Sequence, residues 1–199
     1  GHAAVVADAA VAMGFVLVGV VDAMRPVTDG RPPFGGVPWL GPPDDPDPSL
    51  HELLGRGARV HAAVGDAGLR RRWLGDHADH AACIVHPTAV VSPSATIGEG
   101  VFIGPRAVVN ARAVIGTGTI VNTAAILEHD ARTGEFCHLA PGAIVLGTAM
   151  VGDQTLVGSH ATILPAITVG HRTTIGAGSV VTSDLPDDVR AFGNPARDR

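Results

Sequence analysis

Two histidines, His129 and His138, stand nine residues apart in the stretch AILEHDARTGEFCHLAPGA (125–143), and Glu128 and Asp130 flank the first of them. Histidine is the side chain whose ordinary pKa lets it take and return a proton near neutrality. A carboxylate beside it fixes the imidazole tautomer and steadies the imidazolium, the arrangement generalised from hydrolase triads. The pattern therefore suits removal of a proton from a nucleophile. On a regular strand successive side chains face opposite ways, so His129 and Asp130 can pair only if a turn intervenes. From spacing alone, Glu128 and Asp130 are equal candidates for the partner.

The element carrying these groups is set by a six-residue ladder. Stepping from Val85 to Val181 in sixes meets an aliphatic residue at every position except Thr133. Four residues after each rung lies a second ladder made mostly of Ala, Ser, Thr and Cys, and Gly often follows the aliphatic residue directly. A period of six fits neither an amphipathic helix nor strand alternation. It fits a parallel β-helix in which each hexad supplies one short strand and one turn. The aliphatic residue fills the interior, the small residue sits where the chain bends, and glycine is expected to supply the backbone angles of the turn. With three hexads per coil, residues 85–186 make five to six coils, a prism roughly 25–30 Å long at the usual strand spacing. His129 and His138 are off the inward rungs and should project from its surface. Cys137 falls on a small-residue position, so its expected role is packing. His160 and His171 read as ordinary outward-facing residues, and His61 and His86 carry no signal.

The first 84 residues read differently. A helix is expected over 3–13, a buried strand over Phe15–Asp22, then a loop rich in Pro, Gly and Asp over 31–48. A short helix near Ser49–Gly55 follows, with Ser49 as its cap, then a strand over Arg59–Asp66 and a helix over 67–78. Alternating elements of this kind predict a small parallel α/β unit with ligands at the carboxyl ends of its strands, where Asp22, Gly65 and Asp66 lie. The expected division is 1–84, 85–186 and a tail over 187–199. Since the chain opens on Gly1, a start segment is expected to precede it.

Net charge is −5, from 14 basic residues, all arginine, and 19 acidic ones. Neither half has the basic excess of a nucleic-acid binder. The run Arg70-Arg71-Arg72 reads as a solvated helix face. Two isolated cysteines form no disulfide framework, there is no signal-peptide pattern, and no apolar run is long enough to span a membrane, so a cytoplasmic location is expected.

The unbroken ladder, NTAAILEHD, GEFCHLAPGA and the closing GNPAR together resemble the NeuD/PglD-type bacterial sugar acyltransferases of the hexapeptide-repeat superfamily. The opening GHAAVVADAA, with VVDA and AVGDAGLRR, matches that family's N-terminal nucleotide-sugar unit. The resemblance implies a Rossmann-like α/β subdomain followed by a left-handed parallel β-helix, assembled as a homotrimer with active sites between subunits. It implies acetyl-CoA as co-substrate, no metal, and a nucleotide-linked amino sugar as acceptor. His129 matches the family's general base and Asp130 the acid that orients it. His138 and Gly147 match positions beside the acetyl thioester, and Asn122 lines the same pocket. Gly158, Ser159, Gly176 and Ala177 fall where CoA runs along the intersubunit groove. Gly1 and His2 match the end of a glycine-rich loop, and Asp22, Gly65 and Asp66 the sugar-nucleotide contacts. A relative carries Glu after the histidine, so Asp130 reaches one methylene less far.

Other readings are weaker. A γ-type carbonic anhydrase shares the β-helix but holds three histidines on zinc at closer spacing. A nucleotidyltransferase with a β-helical tail needs a larger N-terminal domain. Acetylation of a hydroxyl, as on sialic acid, and a non-catalytic sugar-nucleotide scaffold remain as alternatives.

Overall fold

The computed structural model describes residues 1–23 and 33–198. Arg31 and Pro32, at the start of the expected loop, lie outside them. Residues 84–181 wind into a parallel β-solenoid of two-residue strands. Ile84 lies opposite Phe102, Phe102 opposite Ile120, and Ile120 opposite His138, so each coil takes 18 residues, or three hexads. The strands stack into three faces of eight, six and five strands. The first face includes Ile120–Val121 and His138–Leu139, the second Ile126–Leu127 and Ile144–Val145, and the third Arg132–Thr133 and Met150–Val151.

The second residue of each strand points inward. Ile103, Val121, Leu127, Leu139, Val145 and Ile163 are fully buried, and Thr133, the exception in the ladder, is buried as well. The small-residue ladder is not merely small. Thr119 Oγ1 donates to Gly134 O (3.0 Å) and accepts from Cys137 N (3.1 Å), so this buried hydroxyl ties successive coils together. Cys137 itself is buried, and burial pushes its thiol up to about 11, which fits packing and not nucleophilic chemistry.

Glycine has two separate uses, which corrects the single role expected. At the corners every sixth residue is left-handed: Arg112 (φ 60°), Ala124 (φ 54°), Asp130 (φ 60°) and Phe136 (φ 54°) stand where Gly118 and Gly142 stand elsewhere. The glycines that follow the inward residue are not left-handed. They are needed because coils approach too closely for a side chain: a Cβ on Gly98 would lie 2.6 Å from Thr117 N, and one on Gly158 2.6 Å from Ala177 N.

The N-terminal segment lies on the first face. Helix α1 (His2–Ala12) packs Val6, Ala9 and Ala10 against Ala82 and the outward side chains Ile84, Phe102 and Ile120. The strands expected at Phe15–Asp22 and Arg59–Asp66 reduce, among the described residues, to single parallel bridges, Val20 to Trp39 and Val60 to Ala81. Helix α2 (Ser49–Gly55) is capped from upstream: Asp47 Oδ1 accepts the Ser49 N–H (2.9 Å), while Ser49 already lies inside the helix. Helix α3 (Ala67–Gly75) ends earlier than expected, with Asp66 Oδ1 accepting the Leu69 N–H (2.8 Å) at its start. Leu74 and Phe136 join this helix to a solenoid corner.

The residues expected as a tail after 186 extend the solenoid. Arg190–Phe192 pairs in parallel with Thr174–Ile175, and Arg197–Asp198 folds back antiparallel on it. No helix among the described residues is long and apolar enough to cross a membrane.

Candidate active site

The corner between the second and third faces supplies the turn that the 129–130 pair requires. Because Asp130 is left-handed, its carboxylate folds back towards its neighbour, and its Oδ2 lies 2.9 Å from His129 Nδ1. Glu128 faces elsewhere: its Oε2 accepts the His129 backbone N–H at 3.3 Å. The ambiguity between the two acids is thus resolved by backbone geometry in favour of Asp130.

Arg112, one coil earlier at the same corner, holds Asp130 with two parallel bonds, Nε to Oδ1 at 2.7 Å and Nη2 to Oδ2 at 2.8 Å. Bidentate pairing of this kind fixes a carboxylate plane as well as its charge. The Arg112 guanidinium, then the His129 imidazole, hold the Asp130 carboxyl well below the usual carboxylate range. An ionised Asp130 accepts from the Nδ1–H and leaves Nε2 as the ring nitrogen available to a substrate. The His129 side chain is 58% exposed.

Gly147, one coil later, stacks over His129, and Thr148 N donates to His129 O (3.1 Å). A Cβ on Gly147 would lie 2.8 Å from both Cε1 and Nε2 of the ring. The missing side chain is what gives the imidazole its place. Arg112 was not singled out from the sequence, although its 18-residue spacing from Asp130 is one coil.

His138 belongs to a second cluster. Thr123 N donates to Asn122 Oδ1 (2.8 Å), which turns Asn122 Nδ2 towards His138 Nε2 (3.1 Å). Since an amide nitrogen can only donate, His138 Nε2 accepts, and the ring proton sits on Nδ1. Burial, with Arg70 and His2 nearby, pushes His138 down to about 4, so it is neutral near pH 7 and offers an N–H rather than a base. The His2 ring, at the start of α1, stands 6.2 Å from His138 and edge-on to Phe102 at 5.4 Å.

The two clusters do not meet within one chain. His129 and Gly147 occupy the corner opposite the first face, and His138 stands on that face with the packed interior between them. Gly158 and Gly176 follow the first-face strands one coil apart, with Ser159 O accepting from Gly178 N (2.9 Å). The close approach of the coils accounts for both glycines, and Phe192 lies over Gly176.

Asp22 lies on the rim of an apolar cleft of about 440 Å³ between the 15–22 and 58–64 segments. Its backbone carbonyl accepts from Trp39 Nε1 (3.1 Å). Gly65 and Asp66 are exposed at the start of α3, beyond Val64 on the same cleft. His61, without signal in the sequence, is half-buried: its Nδ1 bonds Ala82 O (2.9 Å), and desolvation pushes it down to about 4. His171 bonds Asp153 at the surface, as its outward reading predicts. The expected solvated face at 70–72 holds only in part, because Arg70 is 1% exposed whereas Arg72 reaches Asp44 in the open. Among the described residues no cluster of ligating side chains could hold a metal ion.

The profile of the bacterial transferase hexapeptide (six repeats) matches residues 148–183. A galactoside O-acetyltransferase from Escherichia coli is 51% identical over 39 residues. The chain spans only about a fifth (19%) of the length of that curated relative. Two solved structures are similar throughout. PerB from Caulobacter crescentus, a perosamine N-acetyltransferase seen with CoA and GDP-perosamine, is 38% identical with a TM-score of 0.89, covering 100% of this chain and 93% of its own. The acetyltransferase domain of PglB from Neisseria gonorrhoeae, seen with acetyl coenzyme A, is 34% identical with a TM-score of 0.89, covering 100% and 95%. With that likeness covering the chain from end to end, the chain belongs to the NeuD/PglD-type hexapeptide-repeat sugar acetyltransferases.

Proposed function

We propose that this chain transfers the acetyl group of acetyl-CoA to the amine of a nucleotide-linked amino sugar, with His129 as the general base. The observation that carries the reading is the Arg112–Asp130–His129 relay, which engages Nδ1 and leaves Nε2 for the substrate. A free alkylamine is mostly protonated near pH 7, so a base at the site of attack is needed. The amine nitrogen attacks the thioester carbonyl carbon while Nε2 takes its proton. The C–S bond then breaks, and the proton passes to the departing CoA sulfur. The amide product and free thiol balance the reaction. The Nδ1–H of His138, held by Asn122, is a donor for the developing oxyanion.

A base on one corner and a donor on the opposite face require two copies of the chain. In a cyclic trimer the His129 corner of one protomer faces the His138 surface of the next, and the cleft between them takes both substrates. In that assembly we place the pantetheine and adenine of CoA along Gly158, Ser159, Gly176 and Ala177. Gly147 lies beside the thioester. Gly1 and His2, at the positive end of α1, suit a diphosphate. Asp22, Gly65 and Asp66 bound the nucleotide end of the acceptor in a Rossmann-like subdomain, and the solenoid is taken as left-handed.

PerB holds GDP-perosamine, so GDP-linked amino sugars head the acceptor series. The local likeness to a galactoside O-acetyltransferase favours a second reading, transfer to a sugar hydroxyl. Consumption of acetyl-CoA, followed over GDP-, UDP- and dTDP-linked amino sugars and their hydroxyl counterparts, separates the two. Amide formation in the wild type, lost in His129→Ala, is the expected result. Turnover only with hydroxyl acceptors would overturn the amine reading.

A further inference from the structure

Among the described residues Arg70 is the largest fully buried side chain, and no carboxylate hydrogen-bonds to it, although Asp66 acts on it through space. Its fork is used entirely on backbone carbonyls. Nε donates to Gly118 O, Nη1 to Val64 O (2.8 Å) and Gly65 O (3.0 Å), and Nη2 to Phe136 O and Cys137 O (3.1 Å). The acceptors come from three places: the loop entering α3, a corner of one coil, and the corner of the next coil just before His138. A buried guanidinium with no carboxylate hydrogen-bonded to it is an expensive way to join two surfaces, and well-packed apolar side chains often do so at lower cost. What five carbonyls around a planar fork provide is fixed relative placement, which neither an apolar contact nor the single ammonium of lysine reproduces. The neighbouring residues underline this, since Arg71 and Arg72 of the same helix are exposed.

We infer that Arg70 is a positioning residue for acceptor binding, locking the 64–66 loop to the coil that presents His138. The inference rests on the proposed function, because it assigns that loop to the nucleotide end of the acceptor. The pantetheine and adenine of CoA, by contrast, are assigned to later coils that Arg70 does not touch. The two ligands should therefore respond differently to its loss. A small displacement of positioning groups is enough to cost orders of magnitude in a well-oriented reaction.

The test is calorimetric binding of GDP, UDP and CoA to the full chain and its Arg70→Lys and Arg70→Gln variants, with Arg71→Gln as a surface control. Both Arg70 variants should bind the nucleoside diphosphate that the parent prefers at least about tenfold more weakly while keeping CoA affinity within about twofold. In turnover, KM for the nucleotide sugar should rise with KM for acetyl-CoA unchanged. Arg70→Lys, which keeps the charge, should not restore the lost affinity. Equal weakening of both ligands would mean that Arg70 only supports folding. Unchanged nucleotide affinity in Arg70→Lys would show that charge alone suffices. Either result overturns the inference. A parent chain that binds neither GDP nor UDP would instead remove the assignment of the loop on which it depends.

Discussion

At the scale of single residues, two imidazoles sit in opposite surroundings. His129 lies in the open, with its Nδ1 proton engaged by Asp130. His138 is half-buried and neutral, with its Nε2 engaged by Asn122. Gly147→Ala should push the His129 ring from its place, lowering kcat roughly 10- to 100-fold with little change in melting temperature; an unchanged kcat would mean that the ring position is immaterial. His61 makes a different prediction. The unfolded chain protonates this histidine near 6.5 and the folded chain only near 4, so acid between those values favours unfolding. Stability should be fully present above pH 6.5 and fall by on the order of 3 kcal/mol as the pH drops towards 4, with His138 adding to the loss. Denaturant titrations of wild type and His61→Phe at pH 7.5 and 4.5 check this. The variant should lose less between the two conditions, and an identical loss would exonerate His61.

At the scale of elements, the hexad explains where every coil neighbour lies. Thr133 breaks the aliphatic ladder without a structural need. Its hydroxyl accepts from Gly116 N at 3.3 Å, but Gly116 N also donates to the Thr133 carbonyl at 3.1 Å. Thr133→Val therefore leaves no orphaned donor and should raise unfolding stability by about 1 kcal/mol, read as a higher denaturant midpoint at constant m. A loss of stability would mean that the buried hydroxyl has a further partner. The solenoid was legible in the sequence because one short period sets both the inward rungs and the stacking partners. The same 18-residue step, taken from Asp130 and His129, reaches Arg112 and Gly147. The choice between Glu128 and Asp130 was not legible from alternation, since it depends on a left-handed corner that non-glycine residues also occupy. Arg70 was hidden for another reason. Its acceptors are backbone carbonyls 48 to 67 residues away in the solenoid, and carbonyls leave no mark on composition. The strands expected in the N-terminal segment are single bridges because the apolar runs there pack beneath α1 and α2 rather than in a continuous ladder.

At the scale of the whole molecule, the two histidine clusters lie on one corner of the solenoid and on its opposite face. On the proposed roles, activity is a property of the assembly, because a base and an oxyanion donor on opposite sides of one core cannot touch the same substrate. His129→Ala should lower turnover at least ~10²-fold with folding intact. His138→Ala should lower it by a similar order through loss of the donor. The decisive measurement mixes these two inactive chains, dissociated and reassembled together, and reads acetyl transfer to the amino sugar. Every interface that pairs an intact His129 with an intact His138 from the neighbouring copy is complete, so random reassembly should recover about a quarter of wild-type turnover. Mixed assemblies no more active than the two variants apart would contradict the account, since base and donor would then have to come from the same chain.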